Sequence, residues 1–158
     1  MATTLHDEHF ASVPLEELYD HGLIADSGSP RPLILVVDDE SVIADTLAII
    51  LRRECFAVSV AYDAKSALQI VALTPPDLLL TDVVMPEMNG IELADAVMEL
   101  VPDCRILLLS GQAATVDLLA KRPQAAPSFT LLAKPIHPRE LLLQISQLGF
   151  ANARASKG

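Results

Sequence analysis

Positive charge is what this sequence has least of. Its 158 residues hold 11 Lys and Arg against 21 Asp and Glu, a formal net charge of -10. A surface this acidic gains nothing from counterion release and argues against binding nucleic acid or an anionic membrane. No basic residue precedes Arg31, so the N-terminus does not read as a secretory signal. Cysteine is scarce as well. Cys55 and Cys104 fit neither a zinc pattern nor a disulfide framework, which points to a reducing compartment. No apolar run approaches the ~18 residues of a membrane span. The length argues against two full domains. These absences lead to the expectation of one cytoplasmic domain. What is present supports it: 51% hydrophobic residues and 20% charged ones exclude a largely disordered chain.

The acidity is uneven. Residues 1–30 contain Asp7, Glu8, Glu16, Glu17, Asp20 and Asp26 and no Lys or Arg. The stretch Ser27-Gly28-Ser29-Pro30-Arg31-Pro32 discourages regular structure and marks a boundary. The expected organisation is an acidic N-terminal extension over 1–30, one domain over 31–149 and a tail over 150–158. Leu15, Leu18 and Tyr19 share the spacing of one short helical face. They read either as a transient turn in a solvated tail or as a segment that docks on this domain or a partner.

From Leu33 the chain alternates strands and helices. Strands are expected at Leu33–Val37, Ala57–Ala61, Leu78–Thr81, Arg105–Leu109 and Phe129–Ala133. Helices are expected at Ser41–Arg53, Ala64–Leu73, Ile91–Leu100, Ala113–Lys121 and Pro138–Leu148. Val42, Ile43, Leu47, Ile50 and Leu51 form the expected buried side of the first helix. Continuous apolar runs such as Leu33-Ile34-Leu35-Val36-Val37 suit strands covered on both faces. Five such β-α units imply an α/β, doubly wound parallel sheet, and the commonest strand order for that count is 2-1-3-4-5. Ligands in such folds bind at the carboxyl ends of the strands, at the switch point between the first and third.

The polar residues that end the strands are therefore the informative ones. Asp38 and Asp39 follow the first strand, Asp82 ends the third, Ser110-Gly111 the fourth and Lys134-Pro135 the fifth. Each alone has a dull explanation: helix capping for the Asp pair, a loop acid, a turn, a solvated lysine. Their joint placement at one sheet edge favours a site. Clustered carboxylates repel, and a hard divalent cation relieves that repulsion. Mg²⁺ prefers one or two carboxylates, waters and a phosphate oxygen. One carboxylate can then attack phosphorus, giving an aspartyl-phosphate. Asp82 is the best nucleophile, because it ends a central strand, and Lys134 and Ser110 can face the transferred group.

Four segments carry a resemblance: Leu35-Val36-Val37-Asp38-Asp39-Glu40, Thr81-Asp82-Val83-Val84-Met85-Pro86-Glu87-Met88-Asn89-Gly90, Leu109-Ser110-Gly111 and Ala133-Lys134-Pro135. Over roughly Arg31 to Leu148 the chain resembles the receiver domain of bacterial two-component response regulators, a flavodoxin-like fold. The resemblance implies that Asp82 accepts phosphate from a histidine kinase or histidine phosphotransfer protein. It implies that Asp38, Asp39, Asp82 and the Val84 backbone carbonyl bind Mg²⁺, that Ser110 and Lys134 contact the phosphoryl group, and that the Lys134-Pro135 bond is cis. Val84 and Gln112 take the variable positions that influence hydrolysis. In the family an aromatic on the fifth strand, three residues before the lysine, rotates inward on phosphorylation. Here Leu131 holds that position, and Phe129, two residues earlier, is the substitute to consider. Pro123 and Pro127 interrupt the fourth-helix region.

Only ten residues follow Leu148, so no DNA-binding or catalytic output domain is expected. The expected protein is a phosphoacceptor and not a turnover enzyme, a monomer or weak dimer acting on a downstream protein partner without binding DNA. The alternatives are a pseudo-receiver that binds partners without phosphorylation, and a haloacid-dehalogenase-type phosphatase, whose first strand ends in Asp-x-Asp. A flavodoxin-like carrier is a third, but Asp38-Asp39-Glu40 would repel a flavin phosphate. His137 reads as a surface loop residue, and His6, His9 and His21 lack metal-ligand spacing.

Overall fold

Alternation within each apolar run decides the architecture. In the computed structural model, which describes residues 31–111, 113–127 and 129–150, five strands form one parallel sheet. They are β1 (Leu33–Val37), β2 (Ala57–Ala61), β3 (Leu78–Asp82), β4 (Arg105–Ser110) and β5 (Thr130–Ala133). Five helices connect and follow them: α1 (Ser41–Arg53), α2 (Ala64–Leu73), α3 (Gly90–Leu100), α4 (Ala113–Ala120) and α5 (Pro138–Gln147). The strand order is β2-β1-β3-β4-β5, as expected. The proposed acidic extension, the terminal residues 151–158 and Gln112 lie outside the described residues.

Successive strand residues point to opposite faces. Leu35, Val37, Leu79, Ile106 and Leu108 pack with α2 and α3, joined by Leu118 and Leu119 of α4. Ile34, Val36, Leu78, Leu80, Leu107 and Leu109 pack with α1 and α5. Both faces are covered, so the strands can be apolar throughout. Edge strand β2 is only half-buried over its first four residues.

On α1 the buried face is Ala44, Leu47, Ala48 and Leu51. Val42, expected on that face, is 77% exposed. At 100° per residue it stands on the far side of the helix from Ala44, and small alanines fill the contact with the sheet. The boundaries of β3 and β4 each extend one residue further than their apolar runs, to Asp82 and Ser110. β5 begins one residue later than expected, at Thr130, which leaves Phe129 outside the strand.

The end of α1 shows what the sequence pattern hides. Cys55 has φ 68, and its N–H donates to Arg52 while that of Phe56 donates to Leu51. This is the paired hydrogen-bond closure that usually places glycine in the left-handed position. Phe56 and Leu51 both lie in the same core cluster and complete the motif. A β-carbon in the left-handed region costs on the order of 1–2 kcal/mol. Cys55→Gly is therefore expected to stabilise the chain by about 1 kcal/mol in urea denaturation. Cys104 sits before β4, 4% exposed, and burial pushes its thiol up to about 11. At pH 8 almost none of it is thiolate, so iodoacetamide is expected to leave Cys104 unmodified until urea unfolds the chain.

Candidate functional site

The parallel topology brings the carboxyl ends of β1 and β3 side by side, because the two strands pair directly, Val37 opposite Thr81. Asp38 follows β1 and Asp82 ends β3, so the two carboxylates meet above the sheet. Asp38 is fully buried and Asp82 is 6% exposed, whereas Asp39 is exposed. Carboxylate oxygens of Asp38, Asp39 and Asp82 lie within 4.8 Å of one another.

Lys134 reaches this group from the end of β5. Its Nζ is 3.4 Å from Asp38 Oδ2 and 3.3 Å from Asp82 Oδ2, with the side chain 22% exposed. It is an interior cation between two acids, not a solvated surface charge. The Lys134-Pro135 peptide is cis, as the resemblance implied. Lys134 N–H donates to the Ser110 carbonyl at 2.8 Å, so the end of β5 is held to the end of β4. Ser110 is half-buried there. All the strand-end residues singled out above, Asp38, Asp39, Asp82, Ser110 and Lys134, thus stand at one edge of one sheet. Val84 lies two residues beyond Asp82 with its side chain exposed.

The capping explanation for the Asp pair does not hold. The residue that caps α1 is Glu40, without a side-chain capping bond. Asp38 Oδ1 instead accepts the Glu40 N–H at 2.9 Å. Burial raises the Asp38 pKa above its ordinary value, and the Asp82 charge adds to this. The Glu40 N–H and the Lys134 ammonium oppose the rise without cancelling it. For Lys134 burial works to lower the pKa, but the Asp82 and Asp38 charges outweigh it and the net shift is upward. The ammonium is therefore held protonated.

Three carboxylates against one ammonium leave two formal negative charges unbalanced, the charge of one divalent cation. The donors are all hard oxygens, and the exposed Asp39 side leaves room for water. The residues present fit a Mg²⁺ site that keeps open positions.

Two further residues shape Asp82. Gly90, the first residue of α3, donates its N–H to the Val83 carbonyl at 2.7 Å. A β-carbon there would run into the Asp82 carbonyl oxygen. The helix start is fixed by Asn89, whose side chain accepts the Glu92 N–H at 2.9 Å and donates to Glu92 Oε1. Thr81, fully buried, donates its hydroxyl to the Asp82 carbonyl at 3.0 Å. The sequence marks Gly90 and Thr81 only as the two ends of one motif segment and gives neither a role of its own. The one signal for Thr81 was a hydroxyl closing the apolar run Leu78-Leu79-Leu80.

The two residues considered for the aromatic role stand at different points of the chain around β5. Leu131 is 42% exposed on β5. Phe129 precedes β5 and packs on the cluster shared with α2 and α3. Arg122 covers its ring at 4.2 Å, pairs with Asp95 on α3 at 2.7 Å and donates to the Pro127 carbonyl at 3.0 Å. The ring stands at the start of β5, the opposite end from Lys134. His137 is exposed and caps α5 without a side-chain bond.

An acidic cluster and a lysine thus stand together at the carboxyl edge of a doubly wound parallel sheet. Residues 34–146 match the response regulator receiver domain, and the chain belongs to that family. It is 36% identical over 115 residues to the DNA-binding response regulator MtrA of Mycolicibacterium paratuberculosis, covering 73% of this chain and 50% of that protein. The chain thus spans about half the length of MtrA. It is 35% identical over 118 residues to the response regulator receiver protein CpdR of Brucella abortus, covering 75% of this chain and 97% of that protein. Among solved structures, the signal receiver domain of an HD domain-containing protein from Pseudomonas fluorescens is similar with TM-score 0.67 and 32% identity. That match covers 74% of this chain and 93% of the other. No helix among the described residues is long and apolar enough to cross a membrane.

The contact of Gly90 with the Asp82 backbone yields a test. Gly90→Ala is expected to lower stability by about 2 kcal/mol in urea denaturation, because backbone and helix start must separate to admit the methyl group.

Proposed function

We propose that this chain is the phosphoacceptor of a two-component system, taking a phosphoryl group on Asp82 from a histidine kinase or histidine phosphotransfer protein. The observation that carries the reading is Lys134 Nζ set between Asp38 and Asp82, at 3.4 and 3.3 Å. A structural ion pair needs one carboxylate, whereas a phosphoryl transfer site needs a nucleophile, a cation and spare acid ligands together.

In the transfer, an Asp82 carboxylate oxygen forms the bond to phosphorus as the phosphorus–nitrogen bond of the donor phosphohistidine breaks. The imidazole leaves with the electron pair and takes its proton from solvent. Asp38, Asp39 and Asp82, with the Val84 backbone carbonyl, are the residues that would hold Mg²⁺. When bound, that cation supplies neutralising charge to the phosphoryl oxygens. Lys134 donates to a phosphoryl oxygen with the ammonium already in place, so little reorganisation is required. Ser110 offers its hydroxyl to another oxygen from the end of β4. Asp82 is modified once per cycle, so the chain acts as a stoichiometric switch and not as a turnover enzyme.

The output is a change in protein contacts, made by a cytoplasmic monomer or weak dimer that does not itself bind DNA. An acidic surface supports that part of the reading. Intact-protein mass after incubation with acetyl phosphate and Mg²⁺ tests the chemistry. The expected result is one phosphoryl adduct that requires Mg²⁺, is labile to hydroxylamine and is lost in Asp82→Ala. An unmodified mass with acetyl phosphate and with a panel of competent kinases would favour the pseudo-receiver instead.

A further inference from the structure

Resting on the reading of Asp82 as the phosphoacceptor, we propose that Thr81 is a positioning residue whose buried hydroxyl orients the Asp82 peptide for phosphoryl transfer. Thr81 is one of four buried polar or charged residues among those described, with Asp38, Asp82 and Thr115. Its place in β3 is otherwise an apolar one, paired with Val37 on one side and Leu108 on the other. A hydroxyl in such a place is unfavourable unless it finds a partner. Its partner is the carbonyl of the next residue, at 3.0 Å.

That carbonyl belongs to a short stretch of backbone held from three directions. Val83 N–H donates to Leu109 on β4 at 3.1 Å, and Gly90 N–H donates to the Val83 carbonyl at 2.7 Å. Thr81 supplies the third restraint, on the Asp82 carbonyl, at the point where the Gly90 backbone lies against it. The strand ends at Asp82, so beyond it no regular ladder fixes the peptide planes. The Asp82–Val83 peptide adjoins the residue whose carboxylate stands 3.3 Å from Lys134 Nζ, so a shift of that peptide can be passed to this contact. Small rotations at a reacting group are costly to transfer rates. A valine at position 81 would fill the same space and satisfy β-propensity better, yet would lack the restraint.

The test compares the full-length Thr81→Val and Thr81→Ser chains with the parent. Initial rates of phosphorylation are read by intact mass across acetyl phosphate concentrations with Mg²⁺, and backbone amide exchange at Gly90 is read without phosphodonor. Thr81→Val is expected to lower the saturated rate about tenfold with the half-saturating concentration unchanged. It is also expected to speed Gly90 exchange, and Thr81→Ser is expected to restore both. Should Thr81→Val not fold, Thr81→Ala carries the same comparison with Thr81→Ser. Thr81→Val matching the parent rate overturns the proposal, as does Thr81→Ser falling as far as Thr81→Val, which would mean that the methyl group matters and the hydroxyl does not. If the parent chain accepts no phosphoryl group from any donor, the reading of Asp82 fails separately. Gly90 exchange then still decides whether Thr81 sets this peptide.

Discussion

A fully buried carboxylate at the end of β1 is the constraint on which the rest of the structure turns. Asp38 has no solvent to carry its charge, and its pKa is raised by that burial. Its compensation is a lysine 96 residues away in sequence. The fold must therefore place the end of β5 within reach of the end of β1. The order β2-β1-β3-β4-β5 separates these strands by β3 and β4, so Asp82 and Ser110 lie along the path. Lys134 reaches back over that path, and the bond from its N–H to the Ser110 carbonyl fixes where it starts. Removing one partner of such a pair leaves an uncompensated buried charge, which is far costlier than never having the pair.

The sheet beneath is what makes this arrangement rigid. Leucine, isoleucine and valine alternate between two helix-covered faces, so the strand ends are set by packing on both sides. The start of α3 then presses on the Asp82 backbone through Gly90, where no side chain fits. Chemistry at this edge can change charge and hydrogen bonding, but the scaffold itself has little freedom to yield.

The far end of β5 is held differently. Arg122 joins α3, the Pro127 carbonyl and the Phe129 ring through one guanidinium whose side chain is 11% exposed. Phe129 is thereby committed to packing at the base of the sheet, and Leu131 occupies the strand position nearer the site. Neither provides an aromatic side chain beside Ser110. Contacts between the carboxyl edge of the sheet and α4, β5 and α5 therefore do not run through an aromatic side chain at either of these two positions.

Much of this was legible in the residues alone. Five apolar runs, their polar terminators and the order of the strands follow from patterning and from the handedness rule, which are local and general constraints. The common placement of Asp38, Asp39, Asp82, Ser110 and Lys134 followed too, because the carboxyl edge of a parallel sheet is a place that topology can name without coordinates. What sequence could not reveal depends on which neighbour fills a given space. Val42 turned outward because Ala44 and Ala48 allow closer approach to the sheet. Phe129 lies outside β5 with Arg122 over its ring, and Cys55 takes a glycine's conformation where Phe56 turns into the core. Asp38 differs from Asp39 only in tertiary structure: adjacent identical residues, one with no exposure and a lysine beside it, the other in solvent. Charge and periodicity are properties of the chain. Burial and pairing belong to the fold, since they depend on groups that are distant until the chain closes.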